Sequence, residues 1–252
     1  MNDPATLLQR LDRIGEALRD SGHALALIGL GSVGQERARL DAWSDLDFFV
    51  IVEQGWKARY IGSLDWLATA HPLAWHFRNT GDGHKALMAD GVFCKFAVFA
   101  PDELAHIPFA PGRVVWKRAG VDEHLATPRR AMPQPGNTDE TWIVGEALSC
   151  LYVGLQRWQR GEKLSAARFV QHYAVDRLIE LDALRTPPTP GDPFNAERRL
   201  EARQPRLAGE LPALVPGYAN TPRAALAMLD ALAARGAMLN ASMVQRIRAM
   251  AQ

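Results

Sequence analysis

Two short polar motifs at the ends of apolar runs constrain this chain more than any other feature. Residues 24–30 form an apolar run typical of a buried strand, and Gly31-Ser32 follow it directly. A second apolar run, 46–52, has Asp45 and Asp47 at its start. Because side chains alternate along a strand, both carboxylates are expected on the same face. Like charges on one face repel each other, so the pattern predicts a cation between them.

The residue types around this pair favour a divalent metal and a phosphate. Two carboxylates on a short rigid segment offer only oxygen ligands, which suits Mg²⁺, an ion that also coordinates substrate phosphates. The N–H groups of Gly31 and Ser32 are expected to be free at the turn, where they could hold a phosphate. Arg37 and Arg39 lie between the motifs; they are either phosphate contacts or two solvated loop charges. The sequence therefore predicts a metal–phosphate site.

The order and spacing of these residues resemble the signature of polymerase-beta-type nucleotidyltransferases. Leu30-Gly31-Ser32 is followed, after a gap of twelve residues, by Asp45-Leu46-Asp47-Phe48. The lincosamide and aminoglycoside nucleotidyltransferases are the members that the chain resembles most. The resemblance implies Mg²⁺-dependent transfer of a nucleoside monophosphate from a nucleoside triphosphate to a small-molecule hydroxyl, with antibiotics as one class of acceptor. It implies catalytic and metal-binding roles for Asp45 and Asp47, and nucleotide contacts from Gly31 and Ser32. Further candidate nucleotide-binding residues are Arg37, Arg39, Ser44 and Lys95.

The same glycines allow a second interpretation. Residues 29–34 match G-x-G-x-x-G, the fingerprint of dinucleotide binding. That fold needs a crossover helix and a second parallel strand after the glycines. Residues 35–41 are polar, lack an apolar stripe and leave little room for a crossover before Asp45. A dinucleotide-binding oxidoreductase is therefore an alternative that only the glycines support.

Lys95 stands where the resemblance implies a third carboxylate, which would complete the metal site or accept the proton of the acceptor hydroxyl. It is the polar residue within the apolar run 92–99. Three interpretations stay open: Lys95 binds phosphate; Asp90 replaces the carboxylate through a bulge; or catalysis is weakened or lost, leaving a nucleotide-binding or antitoxin-like protein. A fourth is a lysine that extends from an edge strand into solvent.

The apolar periodicity predicts an α+β fold: a small mixed β-sheet with flanking helices over residues 1–126, then an α-helical bundle over 138–252. The resemblance implies that the first of these is a nucleotidyltransferase domain. A Pro- and Gly-rich linker, 127–137, separates them. By resemblance to aminoglycoside nucleotidyltransferases, Glu146 on the first bundle helix is a candidate catalytic base; the alternative is a surface glutamate. The elements expected in the first domain are helices at 4–20 and 55–70, and further strands at 72–77, 84–88, 92–99 and 113–116. In the second, a helix capped by Thr138 is followed by helices at 164–184, 194–207 and 222–249, the last with a break near Gly236. A proline-rich loop is expected at 186–193.

Composition argues against several other classes of protein. A formal net charge of +1 creates no general attraction for a polyanion, so nucleic acid is not an expected partner. No apolar run reaches the ~18 residues of a membrane span, and no N-terminal segment resembles a signal peptide. Cys94 and Cys150 lie in apolar surroundings and are expected as core thiols, which favours the cytoplasm. The sequence is also compatible with a homodimer.

Overall fold

The computed structural model describes residues 3–131, 138–185 and 195–252. The chain divides into two compact units, residues 1–132 and 133–252. The predicted proline-rich loop, 186–193, and the last part of the predicted linker, 132–137, lie outside the described residues.

In the first unit the described residues form one six-stranded mixed sheet. Its strands are β1 Ala24–Gly29, β2 Leu46–Val52, β3 Leu73–Arg78, β4 Gly83–Met88, β5 Phe93–Phe99 and β6 Arg113–Lys117. Their order in the sheet is β3-β4-β5-β2-β1-β6. The β2–β5 pair is parallel and the other neighbours are antiparallel. The parallel pair lies at the centre of the sheet, so both of its strands have a neighbour on each side.

Helices cover one face of this sheet. They are α1 Pro4–Asp20, α2 Lys57–Gly62 and α3 Asp65–Ala70. Leu7, Leu11 and Ile14 of α1 are fully buried in one cluster with Phe48 and Val50 of β2. The opposite face carries a smaller cluster, formed in part by Ile28, Ile51, Phe99 and Phe109.

The prediction of one helix over 55–70 is wrong. Two short helices occur instead, because the chain is extended at Ser63, directly after Gly62, with φ −135° and ψ 126°. Glycine and serine both favour such a break over a helix interior. The Trp66 indole then donates to the carbonyl of Tyr60 across the break at 3.1 Å.

Helices form the second unit in the part that the structure describes. They are α4 Glu140–Gln159, α5 Lys163–Arg168, α6 Ala174–Arg185, α7 Leu200–Arg203, α8 Pro205–Leu214, α9 Thr221–Ala234 and α10 Ala241–Met250. The expected helix at 164–184 is present, but a π-helical turn at Phe169–Tyr173 joins α5 to α6. Gln171 in that turn is buried and donates to the carbonyl of Gly217 at 3.1 Å and to the Thr221 hydroxyl at 2.9 Å. The break near Gly236, which has φ +67°, is confirmed.

Two further details concern the ends of these helices. The N-cap of α4 is Asp139 rather than the predicted Thr138, because its carboxylate accepts the N–H of Thr141 at 2.9 Å. Just after α9, the side chain of Arg235 is 3% exposed. Its guanidinium pairs with Asp182 at 2.6 and 2.7 Å and with Glu210 at 2.8 Å. This network ties α6, α8 and the end of α9 together.

The mixed sheet followed by helices confirms the predicted α+β class. Among the described helices none is both long enough and apolar enough to cross a membrane.

Candidate functional site

Strand β2 positions the acidic pair as its alternation predicts. Leu46, Phe48 and Val50 are fully buried under the helices. Asp45, just before the strand, and Asp47, within it, therefore share the opposite face, where their side chains are 31% and 29% exposed. The shared face that the sequence predicts for the two carboxylates is confirmed.

The cation between the two carboxylates is the chain's own Lys95. In the parallel pairing of β2 with β5, Asp47 lies directly beside Lys95. The ammonium Nζ lies 2.9 Å from Asp45 Oδ2 and 3.2 Å from Asp47 Oδ1. Burial alone would lower the pKa of Lys95, but the hydrogen bond to Asp45 and the charge of Asp47 outweigh it and raise that pKa. Lys95 is therefore a cation throughout the neutral pH range.

The Gly-Ser turn is joined directly to this acidic pair. The N–H of Leu30 donates to the carbonyl of Asp47 at 2.8 Å, so the end of β1 is held against β2 beside the carboxylates. Gly31–Val33 then forms a single 3₁₀ turn, closed by the N–H of Gly34 on the carbonyls of Leu30 and Gly31. The N–H groups of Gly31 and Ser32 donate to no other residue that the structure describes. Two amides are thus available next to two carboxylates.

The G-x-G-x-x-G pattern has a local structural cause. A Cβ on Gly29 would lie 2.7 Å from the carbonyl oxygen of Val33, and one on Gly34 would lie 2.6 Å from that of Gly29. Gly31 has φ +53°, which glycine adopts without strain. Strands β1 and β2 are antiparallel neighbours, whereas dinucleotide binding requires parallel strands and a crossover. The dinucleotide interpretation is therefore wrong.

Basic residues flank the turn, and sequence reasoning missed one of them. Arg37 is exposed, and Arg39 pairs with Glu36. Arg113, at the start of β6, donates through Nη2 to the carbonyl of Val33 at 3.2 Å. Burial and the nearby charge of Arg37 lower the pKa of Arg113. Arg113 lies opposite Gly29 in the β1–β6 pairing, a relation that the sequence does not reveal.

Ser44 has a local partner. Its hydroxyl donates to Asp41 Oδ1 at 3.0 Å and accepts the N–H of Asp41 at the same distance. This hydrogen-bonded turn leads directly into Asp45, so Ser44 helps to set the entry to β2.

Asp90 does not replace the third carboxylate. It lies in the turn between β4 and β5, where Arg10, whose side chain is 6% exposed, holds its Oδ2 at 2.7 Å. The β4–β5 pairing continues from Leu87–Phe93 without a shift of register, so no bulge redirects it. Glu146, in the second unit, is exposed on α4.

The donor set fits a divalent ion that arrives with its own phosphates. Among the described residues, no group of three or more His, Cys, Asp or Glu side chains could hold a metal. Asp45 and Asp47 nevertheless converge on one cation position, and Mg²⁺ is commonly held by one or two carboxylates plus substrate phosphates. Such an ion could use both carboxylates once the ammonium of Lys95 has moved away.

The comparison with known proteins gives matches in structure alone. No protein-family model matches the chain, and no curated protein sequence matches it. An aminoglycoside 6-adenyltransferase from Bacillus subtilis matches with a TM-score of 0.38 and 12% identity over 97% of each chain. A nucleotidyltransferase-like protein from Exiguobacterium sibiricum matches with a TM-score of 0.35 and 13% identity, over 90% of this chain and 75% of that one.

Proposed function

We propose that the protein is a Mg²⁺-dependent nucleotidyltransferase that moves a nucleoside monophosphate from a nucleoside triphosphate to a hydroxyl of a small molecule, with antibiotics as one acceptor class. One observation carries the proposal. The hydrogen bond from Leu30 N–H to the Asp47 carbonyl holds two available amides beside two convergent carboxylates. Amides for phosphate and carboxylates for a cation are the two parts that a metal–triphosphate complex requires.

Each residue has a defined part in this reaction. Asp45 and Asp47 would hold Mg²⁺, which when bound neutralises phosphate charge and withdraws electron density from the α-phosphorus. The N–H groups of Gly31 and Ser32 donate to the β- and γ-phosphates. Arg37 and Arg39 approach the same phosphates, and Ser44 maintains the turn before Asp45. In the transfer, the acceptor oxygen forms a bond to the α-phosphorus, the α–β phosphoanhydride bond breaks, and pyrophosphate leaves.

The acceptor hydroxyl must also lose its proton. Residues 1–126 form the nucleotidyltransferase domain, and residues 138–252 form the helical part. Glu146 of the helical part accepts the proton of the acceptor hydroxyl. Its carboxylate is exposed on α4 and so is open to a ligand. A carboxylate base is a common choice for such a step.

The test is calorimetric titration of ATP and GTP, with and without Mg²⁺, on the native protein and on Asp45→Asn/Asp47→Asn. We expect Mg²⁺-dependent binding that is lost in the double variant and kept in Asp102→Asn, which removes an exposed carboxylate elsewhere in the same unit. Transfer of labelled α-phosphate to a panel of hydroxyl compounds then measures the reaction. Equal nucleotide binding by the native protein and the double variant would contradict the proposed site.

A second candidate function is a nucleotide-binding or antitoxin-like protein with little or no catalysis. The position of Lys95 favours it, because an ammonium lies where a third carboxylate is implied for the transferases. The two functions differ in one result. Nucleotide binding without transfer of labelled α-phosphate to any acceptor, and without its hydrolysis, would support the second candidate over the first.

A further inference from the structure

Lys95 occupies the one point on which the carboxylates of Asp45 and Asp47 converge. Its Nζ is within hydrogen-bonding distance of an oxygen from each, at 2.9 and 3.2 Å. Each of the three side chains is between 29% and 39% exposed, so the ion triad lies at the surface of the sheet. A divalent ion that used both carboxylates would need the same space.

The backbone on both sides of the triad is fixed. Strands β2 and β5 pair without a shift from Leu46–Cys94 to Ile51–Phe99. Leu46 and Cys94, next to the triad, are fully buried. Strand β5 therefore cannot slide away from β2, and the ammonium can leave the carboxylates only by rotation of the Lys95 side chain toward solvent.

The chain provides a matched reference for this lysine. Lys85 on β4 lies directly opposite Lys95 in the antiparallel β4–β5 pairing and shares its sheet face. Within the described residues Lys85 has no ion pair with Asp45 or Asp47. The two lysines thus place the same charge on the same face, and only Lys95 contacts the acidic pair.

We propose that Lys95 is a resident cation that excludes divalent metal from Asp45 and Asp47 until phosphates draw its ammonium away. With the ammonium in place the three side chains carry a net charge of −1, which attracts a divalent ion less than the −2 of the carboxylates alone. Triphosphate oxygens offer the ammonium another partner and bring further negative charge to the metal. Metal and nucleotide therefore bind cooperatively, and each raises the affinity of the other by the same factor. The nucleotide part of this inference rests on the proposed function; the metal part does not.

The first experiment measures metal alone. Mn²⁺, which can replace Mg²⁺ and is observed directly by electron paramagnetic resonance, is titrated into the native protein, Lys95→Met and Lys85→Met without nucleotide. We expect the Mn²⁺ dissociation constant to fall at least tenfold in Lys95→Met and to stay within twofold in Lys85→Met. Asp45→Asn added to Lys95→Met should remove the gain, which places the ion at the acidic pair.

Two results would overturn the inference. One is an unchanged Mn²⁺ affinity in Lys95→Met whose circular dichroism matches that of the native protein. The other is an equal gain in Lys85→Met, which would mean that any lysine on this face repels the metal. If Lys95→Met fails to fold, Lys95→Glu is used as the second variant. It supplies a third carboxylate, and an Mn²⁺ affinity no higher than that of the native protein would contradict the inference equally.

The second experiment repeats the Mn²⁺ titration with a non-hydrolysable ATP analogue. We expect the analogue to raise the Mn²⁺ affinity of the native protein at least tenfold, and that of Lys95→Met by a smaller factor. The metal-alone titration could show a gain in Mn²⁺ affinity in Lys95→Met while neither protein binds the analogue. This result would reject nucleotidyl transfer but support the role of Lys95 as a resident cation. Equal enhancement by the analogue in both proteins would reject the coupling through Lys95.

Discussion

Replacement of Lys95 by methionine should destabilise the metal-free protein and make its stability depend on divalent metal. The substitution keeps most of the apolar stem and removes the charge that lies between Asp45 and Asp47. Its two ion pairs, at 2.9 and 3.2 Å, are lost together. What remains is a pair of like charges on one sheet face, held there by the strand that carries them.

The magnitude follows from the geometry of the triad. Because each pair is about one-third exposed, their loss costs about 0.5–1 kcal/mol apiece. The repulsion between the two carboxylates is present with and without the ammonium, so it cancels in the comparison of the two proteins. The expected total is about 1–2 kcal/mol. A metal at a hundred times its dissociation constant would restore this loss, since it contributes about 2.7 kcal/mol.

Thermal melting in EDTA and in Mn²⁺ measures this effect, with hydrogen–deuterium exchange of peptides from β2 and β5 as the local readout. We expect Lys95→Met to melt about 3–8 °C below the native protein in EDTA and to regain most of that loss in Mn²⁺. Lys85→Met should stay within about 0.5 kcal/mol of the native stability, as surface substitutions usually do. The reasoning is refuted by a native melting temperature of Lys95→Met in EDTA, or by an equal stabilisation of both proteins by Mn²⁺.

Three further predictions concern other parts of the chain. Arg235→Met should lower the free energy of unfolding of the helical unit by about 2–4 kcal/mol in urea titrations, because Asp182 loses both of its hydrogen bonds to the guanidinium and Glu210 keeps only its pair with Arg206. Arg248→Met, in an exposed pair, should change it by under about 1 kcal/mol. Glu146→Gln should abolish transfer of labelled α-phosphate and leave the nucleotide dissociation constant within twofold; retained transfer would remove Glu146 from the mechanism. The hydrogen bond from Arg59 lowers the pKa of Asp65 to about 2 in the folded protein. The Asp65 carboxylate therefore stabilises the folded state above about pH 4, its pKa in the unfolded chain, and this stabilisation is lost as the pH falls toward 2. Stability measured from pH 5 to pH 2 should therefore fall less steeply in Asp65→Asn, and identical pH profiles would contradict the assignment.

Local patterns in the sequence predicted the parts of the fold that depend on near neighbours. The alternation of Leu46, Phe48 and Val50 with Asp47 set the strand and its buried face, and the apolar spacing of residues 4–20 set helix α1. The π-helical turn at Phe169–Tyr173 was missed, because the partners of Gln171 lie some 46–50 residues later in the chain. Arg113 was missed for the same reason, since its contact with Val33 spans 80 residues.

The position of Lys95 shows where prediction from the sequence ends. Alternation along 93–99 already put Lys95 on the face opposite Cys94 and Phe96, but it could not say which strand would lie beside it. That neighbour is set by the parallel pairing, in which the buried residues Leu46 and Phe48 lie beside Cys94 and Phe96. A slip of one residue would turn these side chains away from the helices and the lysine toward them, at the cost of that buried apolar surface. The packing of the hydrophobic face thus fixes the ammonium between the carboxylates, and substitutions that preserve this packing should preserve the ion triad.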